Sequence, residues 1–249
     1  MYEDYLIETL EKVNHVSTRD LPLSKKDKVR ALMNITMPYS LGNVFYERQD
    51  AFLQEVLKDK KIFDTSTLTA PLSIYRGDIT AVKADAIVNA GNEELLGCFV
   101  PLHGCVDNAI HSAAGLEVRR DLLKIMQEQG HVEPVGQVKV TLGYNLPAKY
   151  IFHTVGPQVQ GRLTNQDRED LASCYLACLR EAKRKNLKTL VFSSLSTGLY
   201  GFPMEEASKI AYSTCDKFIQ EEDPELKVVF DVFSKKDEEV YERVFNNHR

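Results

Sequence analysis

The sequence predicts an α/β protein in which a sheet carries helices on both faces and a helical extension precedes it. In about the first 65 residues, apolar side chains recur at helical spacing and no strand pattern occurs. Strands then alternate with helices to the end of the chain, as they do in α/β folds. We therefore expect a helical N-terminal extension over residues 1–68, packed on an α/β domain over residues 69–249.

Composition is typical of a globular protein, with 43% hydrophobic and 27% charged residues among 249. The formal net charge of -5 argues against a nucleic-acid-binding protein, whose surface is usually basic. No apolar run approaches the roughly 18 residues of a membrane span, and the acidic N-terminus lacks the layout of a secretory signal. We expect a cytoplasmic protein with neither a nucleic-acid nor a membrane partner.

Three helices are predicted in the extension. Their apolar residues lie mostly three or four positions apart and comprise Leu6, Ile7, Leu10 and Val13, then Val29, Leu32 and Met33, then Phe52, Leu53, Val56 and Leu57. Pro38 ends the second helix, because proline cannot continue the helical hydrogen-bond pattern. We expect these helices to form a cap on the α/β domain; the alternative is that they also line a substrate cleft.

The α/β domain is predicted to alternate strands and helices. Strands are expected at residues 72–75, 86–89, 138–142, 150–155, 189–192 and 228–233, and the last two helices at 204–221 and 236–246. In such sheets, ligands bind where loops gather at the carboxyl ends of the strands. Loops 76–80, 89–105 and 193–201 each follow a strand and carry unusual side chains.

The second of these loops carries two thiols and an imidazole, on Cys98, His103 and Cys105. Zinc prefers thiolate and imidazole ligands, and the close spacing allows one ion to bind all three. Three protein ligands leave a fourth position open, as in catalytic zinc sites. The alternative is two small buried cysteines and a surface histidine. The remaining cysteines lie on apolar helix faces and are predicted to be core residues: Cys174, Cys178 and Cys215.

Other polar residues of these loops have two interpretations each. Asp78 is either a cap or turn residue, which is the commoner role, or a carboxylate that accepts a hydrogen bond from a ligand amine. Asn89 and Asn92 either form turns around Gly91 or orient a sugar hydroxyl. Loop 193–203 is either a simple connection or a row of N–H groups presented to an anion near a helix N-terminus.

Asp107 and His111 lie four residues apart at the start of a predicted helix, and therefore on one face of it. An acid in this position interacts favourably with the helix dipole, so Asp107 is either such a partner or a catalytic group. His111 is either a packed side chain or a supporting polar group in the site.

Five motifs in this order resemble the macrodomain family. They are residues 77–80 (GDIT), 86–97 (AIVNAGNEELLG), 106–115 (VDNAIHSAAG), 146–157 (LPAKYIFHTVGP) and 194–203 (SLSTGLYGFP). The resemblance extends over about residues 70–249. It implies a mixed, largely parallel sheet between helices, with ADP-ribose as the ligand.

The resemblance implies a role for individual positions. Asp78, with the Ile79 backbone beside it, corresponds to the residue that accepts the adenine amino group, and Phe233 to the aromatic that stacks on adenine. The diphosphate is implied to bind the main-chain N–H groups of the loop Ser196, Thr197, Gly198, Leu199 and Tyr200. Asn92 corresponds to the residue that faces the distal ribose, and Asp107 and His111 to polar positions of the hydrolytic members.

Residues 98–105 depart from the family pattern, because typical members carry a short glycine string there. In this segment and in its helical extension, the chain resembles the zinc-containing class found in bacteria and some fungi. That resemblance implies one Zn²⁺ per chain, held by Cys98, His103 and Cys105. It also implies removal of mono-ADP-ribose from proteins by cleavage at C1″ of the distal ribose, with Asn92 and Asp107 as catalytic residues.

The same resemblance implies a mono-ADP-ribosylated protein as the substrate, for instance a lipoyl-carrier protein modified by a sirtuin-type transferase. Two other functions remain open: a module that binds ADP-ribose without cleaving it, and a hydrolase of a small-molecule ADP-ribose derivative. A further alternative is a zinc ion that only shapes the loop.

Overall fold

The computed structural model describes residues 2–247. Its helices are α1 (Tyr2–Asn14), α2 (Lys25–Ile35), α3 (Asn43–Lys58), α4 (Val106–Ala114), α5 (Leu116–Gln129), α6 (Asn165–Arg184), α7 (Met204–Glu221) and α8 (Lys235–Asn247). Its strands are β1 (Phe63–Asp64), β2 (Leu72–Arg76), β3 (Val82–Lys83), β4 (Ala86–Gly91), β5 (Val138–Leu142), β6 (Tyr150–Val155), β7 (Thr189–Phe192) and β8 (Lys227–Val232). Within the described residues, none of the helices is long and apolar enough to cross a membrane.

The first three helices form a small bundle ahead of the sheet. Ser24 caps α2 by accepting the backbone N–H of Asp27, which satisfies one of the free donors at a helix start. The bundle buries an apolar cluster from all three helices, and Leu116 at the start of α5 belongs to the same cluster. The extension therefore shares apolar contacts with the α/β part of the chain, while the boundary at residue 68 stays a prediction.

One short strand contradicts the expectation of no strand in the first 65 residues. β1 pairs in parallel with β3, with Phe63 opposite Val82. The Phe63 ring also stacks on Tyr75, with centroids 4.0 Å apart. A strand of two residues is too short for a periodic pattern, so the sequence carries no signal of it.

The main sheet has six strands in the order β2-β8-β7-β4-β6-β5. Five of these strands are mutually parallel, and β5 runs antiparallel to β6. The predicted mixed, largely parallel sheet is therefore confirmed. β8 ends at Val232, so Phe233 lies one residue beyond the strand in which its apolar run predicted it.

Alternate residues of the central strands face two separate apolar cores, because side chains of a strand point to opposite faces in turn. In β4, Ile87 packs with the α4–α5 side and Val88 with the side of α6, α7 and α8. The predicted helices on both faces are thus confirmed. The three predicted core cysteines are fully buried beneath the second set of helices: Cys174, Cys178 and Cys215.

The strand order places the loops of interest side by side. β2, β8, β7 and β4 are consecutive and parallel, so their carboxyl ends lie along one edge of the sheet. The segments that follow these strand ends carry, in spatial order, Asp78, Phe233, loop 193–203 and loop 92–105. Four separate segments of the chain therefore meet at one edge of the sheet, and we call the space between them the cleft.

Candidate active site and metal centre

Asp78 lies at the β2 end of this cleft, and its two carboxylate oxygens have different partners. Oδ1 accepts the Thr80 backbone N–H at 2.9 Å and the Thr80 hydroxyl at 2.6 Å. Oδ2 accepts from Lys60 Nζ at 2.8 Å. Burial raises the pKa of Asp78, but the Lys60 and Thr80 hydrogen bonds outweigh it and the net pKa lies below the ordinary value. Asp78 is therefore a turn cap and, at the same time, a half-exposed anion that a ligand amine can approach.

The β2 end of the cleft has further features that suit a flat, amine-bearing ring. Among the described residues, the N–H of Ile79 has no backbone acceptor, so it is free to donate to a ring nitrogen. The Phe233 side chain is 89% exposed, the largest value among the exposed large apolar residues. Leu199 is 79% exposed on the loop that follows β7. A bound ring would cover apolar surface that otherwise faces water.

Loop 193–203 presents backbone donors to the middle of the cleft. Within the part of the chain that is described, the N–H groups of Thr197, Gly198, Leu199 and Tyr200 have no protein acceptor. The loop is nevertheless held in shape, since Phe202 N donates to Ser196 O at 3.0 Å and Gly201 N donates to Gly198 O at 3.0 Å. Unpaired N–H groups in succession form an anion-binding concavity. The structure thus favours the anion interpretation of this loop over a simple connection.

Ser196, at the start of that loop, lies close to the segment that follows β6. Its backbone has φ of 62°, in the left-handed region that non-glycine residues rarely adopt. Gly156 lies so close that a Cβ on it would overlap Ser196 Oγ. Val159 N donates to Tyr200 O at 2.8 Å, which joins the segment after β6 to the same loop. A side chain at position 156 would require the Ser196 hydroxyl to rotate, while Ser196 Cβ and N would lie 3.4 and 3.7 Å from its Cβ.

Asn92 begins the loop that follows β4, and its side chain is engaged locally. Oδ1 accepts the N–H groups of Glu94 and Leu95, each at 3.1 Å, and Nδ2 donates to Gly97 O at 3.2 Å. These bonds show the turn role, and they use only one of the two Nδ2 hydrogens, so a contact to a ligand hydroxyl stays a prediction. The carbonyl that Asn92 binds immediately precedes Cys98, so this amide also ties the start of the thiol-bearing segment to the cleft.

Asp107 is buried in the first turn of α4. Its Oδ1 accepts from Asn89 Nδ2 at 2.8 Å, and His111 Nε2 lies 3.4 Å away without forming a hydrogen bond. Burial raises the pKa of Asp107 to about 6, against the Asn89 hydrogen bond and the charge of Arg119, which lower it. Burial also holds the pKa of His111 well below its ordinary value, so this pair is not a salt bridge near neutral pH.

A buried polar chain continues from Asp107 into the sheet. Asn89 Nδ2 lies 3.3 Å from His153 Nδ1, and Thr141 Oγ1 lies 2.9 Å from His153 Nε2. His153 is fully buried. Asn89 lies within β4 and donates to Asp107, so the structure shows a third role that neither of its two interpretations described.

The three predicted metal ligands come together in the loop before α4. Cys98, His103 and Cys105 each offer one ligand atom, and these atoms all lie within 4.8 Å of one another. Cys105 is also the N-cap of α4, where its Sγ accepts the Asn108 N–H at 3.4 Å. The spacing in sequence therefore predicted a real spatial cluster.

The chemistry of this cluster fits zinc. Nδ1 of His103 is buried and has no hydrogen-bond partner among the described residues, which is costly for a polar atom unless something else binds it. Burial raises the pKa of the Cys105 thiol to about 11, and the nearby Cys98 and Asp107 raise it further. A divalent cation reverses this effect because it stabilises thiolates. Two sulfurs and one imidazole nitrogen are a common zinc donor set.

Two supporting residues lie outside the sequence prediction. Lys60 reaches Asp78 from the segment after α3, and no local pattern marks it. Arg119 is 2% exposed and donates to three carbonyl oxygens, of Leu96 at 2.6 Å, Met33 at 2.9 Å and Thr36 at 2.7 Å. Its position three residues after Leu116 and three before Leu122 puts a charge on an apolar helix face, a signal that could have identified it.

Comparison with known proteins agrees with this geometry. Residues 88–211 match the Macro domain family. A protein-ADP-ribose hydrolase of Treponema medium is 38% identical over 250 residues, covering 98% of this chain and 96% of that protein. The Oceanobacillus iheyensis macrodomain with ADP is 39% identical with a TM-score of 0.65, covering 71% of this chain and 90% of that one. The Trypanosoma brucei macrodomain in complex with ADP-ribose is 28% identical with a TM-score of 0.66, covering 85% of this chain and 93% of that one. The chain belongs to the macro domain family, as its motifs predicted.

Proposed function

We propose that this protein is a zinc-dependent hydrolase that removes mono-ADP-ribose from modified proteins by cleaving the bond at C1″ of the distal ribose. One observation carries the proposal. The Cys98, His103 and Cys105 ligand atoms cluster within 4.8 Å, in a loop that runs from Asn92 to the helix bearing Asp107. A metal position thus adjoins a cleft whose other loops suit a nucleoside diphosphate. The relative from Treponema medium is itself named a protein-ADP-ribose hydrolase.

The cleft would bind ADP-ribose along its length. Asp78 accepts the adenine amine, Ile79 donates its N–H to the ring, and Phe233 covers the ring face. The backbone donors of residues 196–200 bind the diphosphate. These remote contacts orient the distal ribose beside the metal loop, and such orientation lowers the entropic part of the barrier.

Hydrolysis breaks the bond between C1″ and the protein side chain, with a water hydroxyl bonding to C1″ and a proton going to the leaving group. Zinc, when bound, supplies a Lewis acid that polarises a ribose hydroxyl or acidifies a water. After burial, the charge of Asp107 contributes to raising the pKa of Tyr200 in the loop 196–200, which supports a position of Asp107 near the cleft. We assign Asp107 to position the water or accept its proton, and Asn92 to orient the distal ribose.

Two variants and a chelator test this proposal. The assay measures release of ADP-ribose from mono-ADP-ribosylated protein, including a lipoyl-carrier protein as one substrate, while calorimetry measures ADP-ribose binding. Cys98→Ala removes one metal ligand. Cys215→Ala is the matched control, because it removes a fully buried thiol from the opposite side of the sheet. Loss of the metal should remove several kcal/mol of transition-state stabilisation, which corresponds to a fall of about 100-fold or more in turnover.

The proposal predicts that chelation and Cys98→Ala abolish release, that both leave ADP-ribose binding intact, and that Cys215→Ala behaves as wild type. If wild-type and Cys98→Ala proteins bind ADP-ribose and neither releases it, the protein is a binding module instead. Faster turnover of phosphorylated or acetylated ADP-ribose than of any modified protein would indicate a small-molecule hydrolase. A metal that only shapes the loop would leave the folded fraction fully active after chelation.

A further inference from the structure

The metal-binding loop has little structure of its own. Among the described residues, one backbone hydrogen bond closes within residues 98–105, from His103 N to Val100 O at 3.2 Å. Leu102, in the middle, has φ of 57°, in the left-handed region that a branched side chain rarely adopts. A conformation of this kind persists only when surrounding groups hold it. Two of the side chains that bond to this loop come from the N-terminal extension.

Asn34 of α2 is buried against the centre of the loop. Its Oδ1 accepts the Leu102 N–H at 2.9 Å, at the strained residue itself. Its Nδ2 donates to Ser112 Oγ on α4 at 2.9 Å. One amide side chain thus bridges the loop and the helix that follows it.

Arg30 lies one helical turn before Asn34 on the same face of α2, and it contacts the loop beside it. Its Nη2 donates to the carbonyl oxygen of His103 at 3.2 Å, which belongs to one of the three metal ligands. The same Nη2 donates to Asn108 Oδ1 at 2.7 Å. This second bond connects α2 to the remaining two ligands.

Asn108 in turn forms hydrogen bonds to several residues of the loop. Its Nδ2 donates to Cys98 O at 3.4 Å and to Val100 O at 3.0 Å, and its backbone N–H donates to Cys105 Sγ at 3.4 Å. All three ligand residues are therefore linked, directly or through Asn108, to one guanidinium on α2. Side chains that orient ligands in this way usually change metal affinity when they are removed.

We propose that Arg30 and Asn34 are positioning residues of the metal site, so that the N-terminal extension, and not the macrodomain alone, sets the affinity for zinc. The inference rests on the proposed zinc site. It assigns the extension a function beyond covering apolar surface. An extension that only docks would affect stability and leave metal affinity unchanged.

The experiment measures the zinc dissociation constant of the full chain by competition with a chromophoric chelator. Arg30→Met removes the donors and keeps the aliphatic stem, and Arg30→Lys keeps a charge and a shorter donor. Lys26→Met is the matched control, because it removes a cation from the same helix that pairs with Asp59 and not with the loop. Melting of the metal-free proteins and their affinity for ADP are measured alongside.

We expect Arg30→Met to weaken zinc binding by about 10-fold to 100-fold, Arg30→Lys by about threefold to 10-fold, and Lys26→Met by less than about twofold. ADP affinity of the metal-free proteins should stay at the wild-type value. If both Arg30 variants bind zinc with dissociation constants within about twofold of wild type, this inference is wrong and the proposed metal site is not affected. If Arg30→Met does not fold, Arg30→Lys decides by the same criterion. A wild-type protein that binds no zinc overturns the metal site and this inference together.

Discussion

The carboxyl of Asp231 gives the clearest quantitative prediction. It lies in β8 opposite Tyr75 and is 8% exposed. Its Oδ1 has no hydrogen-bond partner among the described residues. Burial, with a smaller contribution from the charge of Asp78, raises the pKa of Asp231 from 3.8 to about 8. The folded protein thus carries a protonated, incompletely satisfied acid beneath the adenine end of the cleft.

Because the pKa of Asp231 is raised in the folded protein, the sign of its effect on stability follows. From pH 3.8 to about 8 the unfolded chain has lost the proton while the folded protein keeps it. The free energy of unfolding therefore falls as pH rises through this window. A change of one pKa unit corresponds to about 1.4 kcal/mol, so the upper limit for this shift is about 6 kcal/mol. Relaxation around a buried group lowers this, and we expect about 2 to 4 kcal/mol.

Asp231→Asn keeps the shape and removes the ionisation. We expect it to unfold with the same free energy as wild type near pH ~4, and to be more stable by about 2 to 4 kcal/mol near pH ~8.5. Urea unfolding followed by circular dichroism measures both proteins across this range. Glu221→Gln, at an exposed carboxyl of α7, is the control. A difference between Asp231→Asn and wild type that does not change with pH would refute the reasoning.

Three other substitutions test the site and its support. Asp78→Asn should weaken ADP binding by about 1.5 to 3 kcal/mol in calorimetry, because it loses a charge-assisted acceptor for the adenine amine; unchanged affinity would exclude the adenine role. Gly156→Ala should weaken ADP binding by no more than about threefold, since the new Cβ meets the Ser196 hydroxyl, which can rotate, while Ser196 N stays 3.7 Å away. Gly42→Ala, where a Cβ meets nothing within 4 Å, should bind ADP as wild type does. Arg119→Met should lower the free energy of unfolding by about 3 kcal/mol or more, because three carbonyl groups lose their donor; a loss below about 1 kcal/mol would show that water replaces the guanidinium.

Local pattern predicted most of the fold. The apolar spacing of α6 follows the 3.6-residue period of a helix, and the short apolar run of β4 is typical of a strand buried on both faces. The thiol and imidazole set was equally visible, since Cys98, His103 and Cys105 lie within eight residues and short loops bring such groups together. The two-residue strand β1 was missed because its pairing with β3 is not encoded by any period.

The partners of the site residues were not visible in the sequence. Asp78 is paired with Lys60. Arg30 and Asn34 hold the metal loop and the helix after it through partners 68 to 78 positions away in the sequence. Such contacts depend on how the extension packs on the sheet, and hydrogen bonds between side chains distant in sequence leave no periodic trace. The sequence by itself therefore determined which residues are candidates for the chemistry and which strands support them. The tertiary structure decided what holds those residues in place, because that depends on the packing of whole elements.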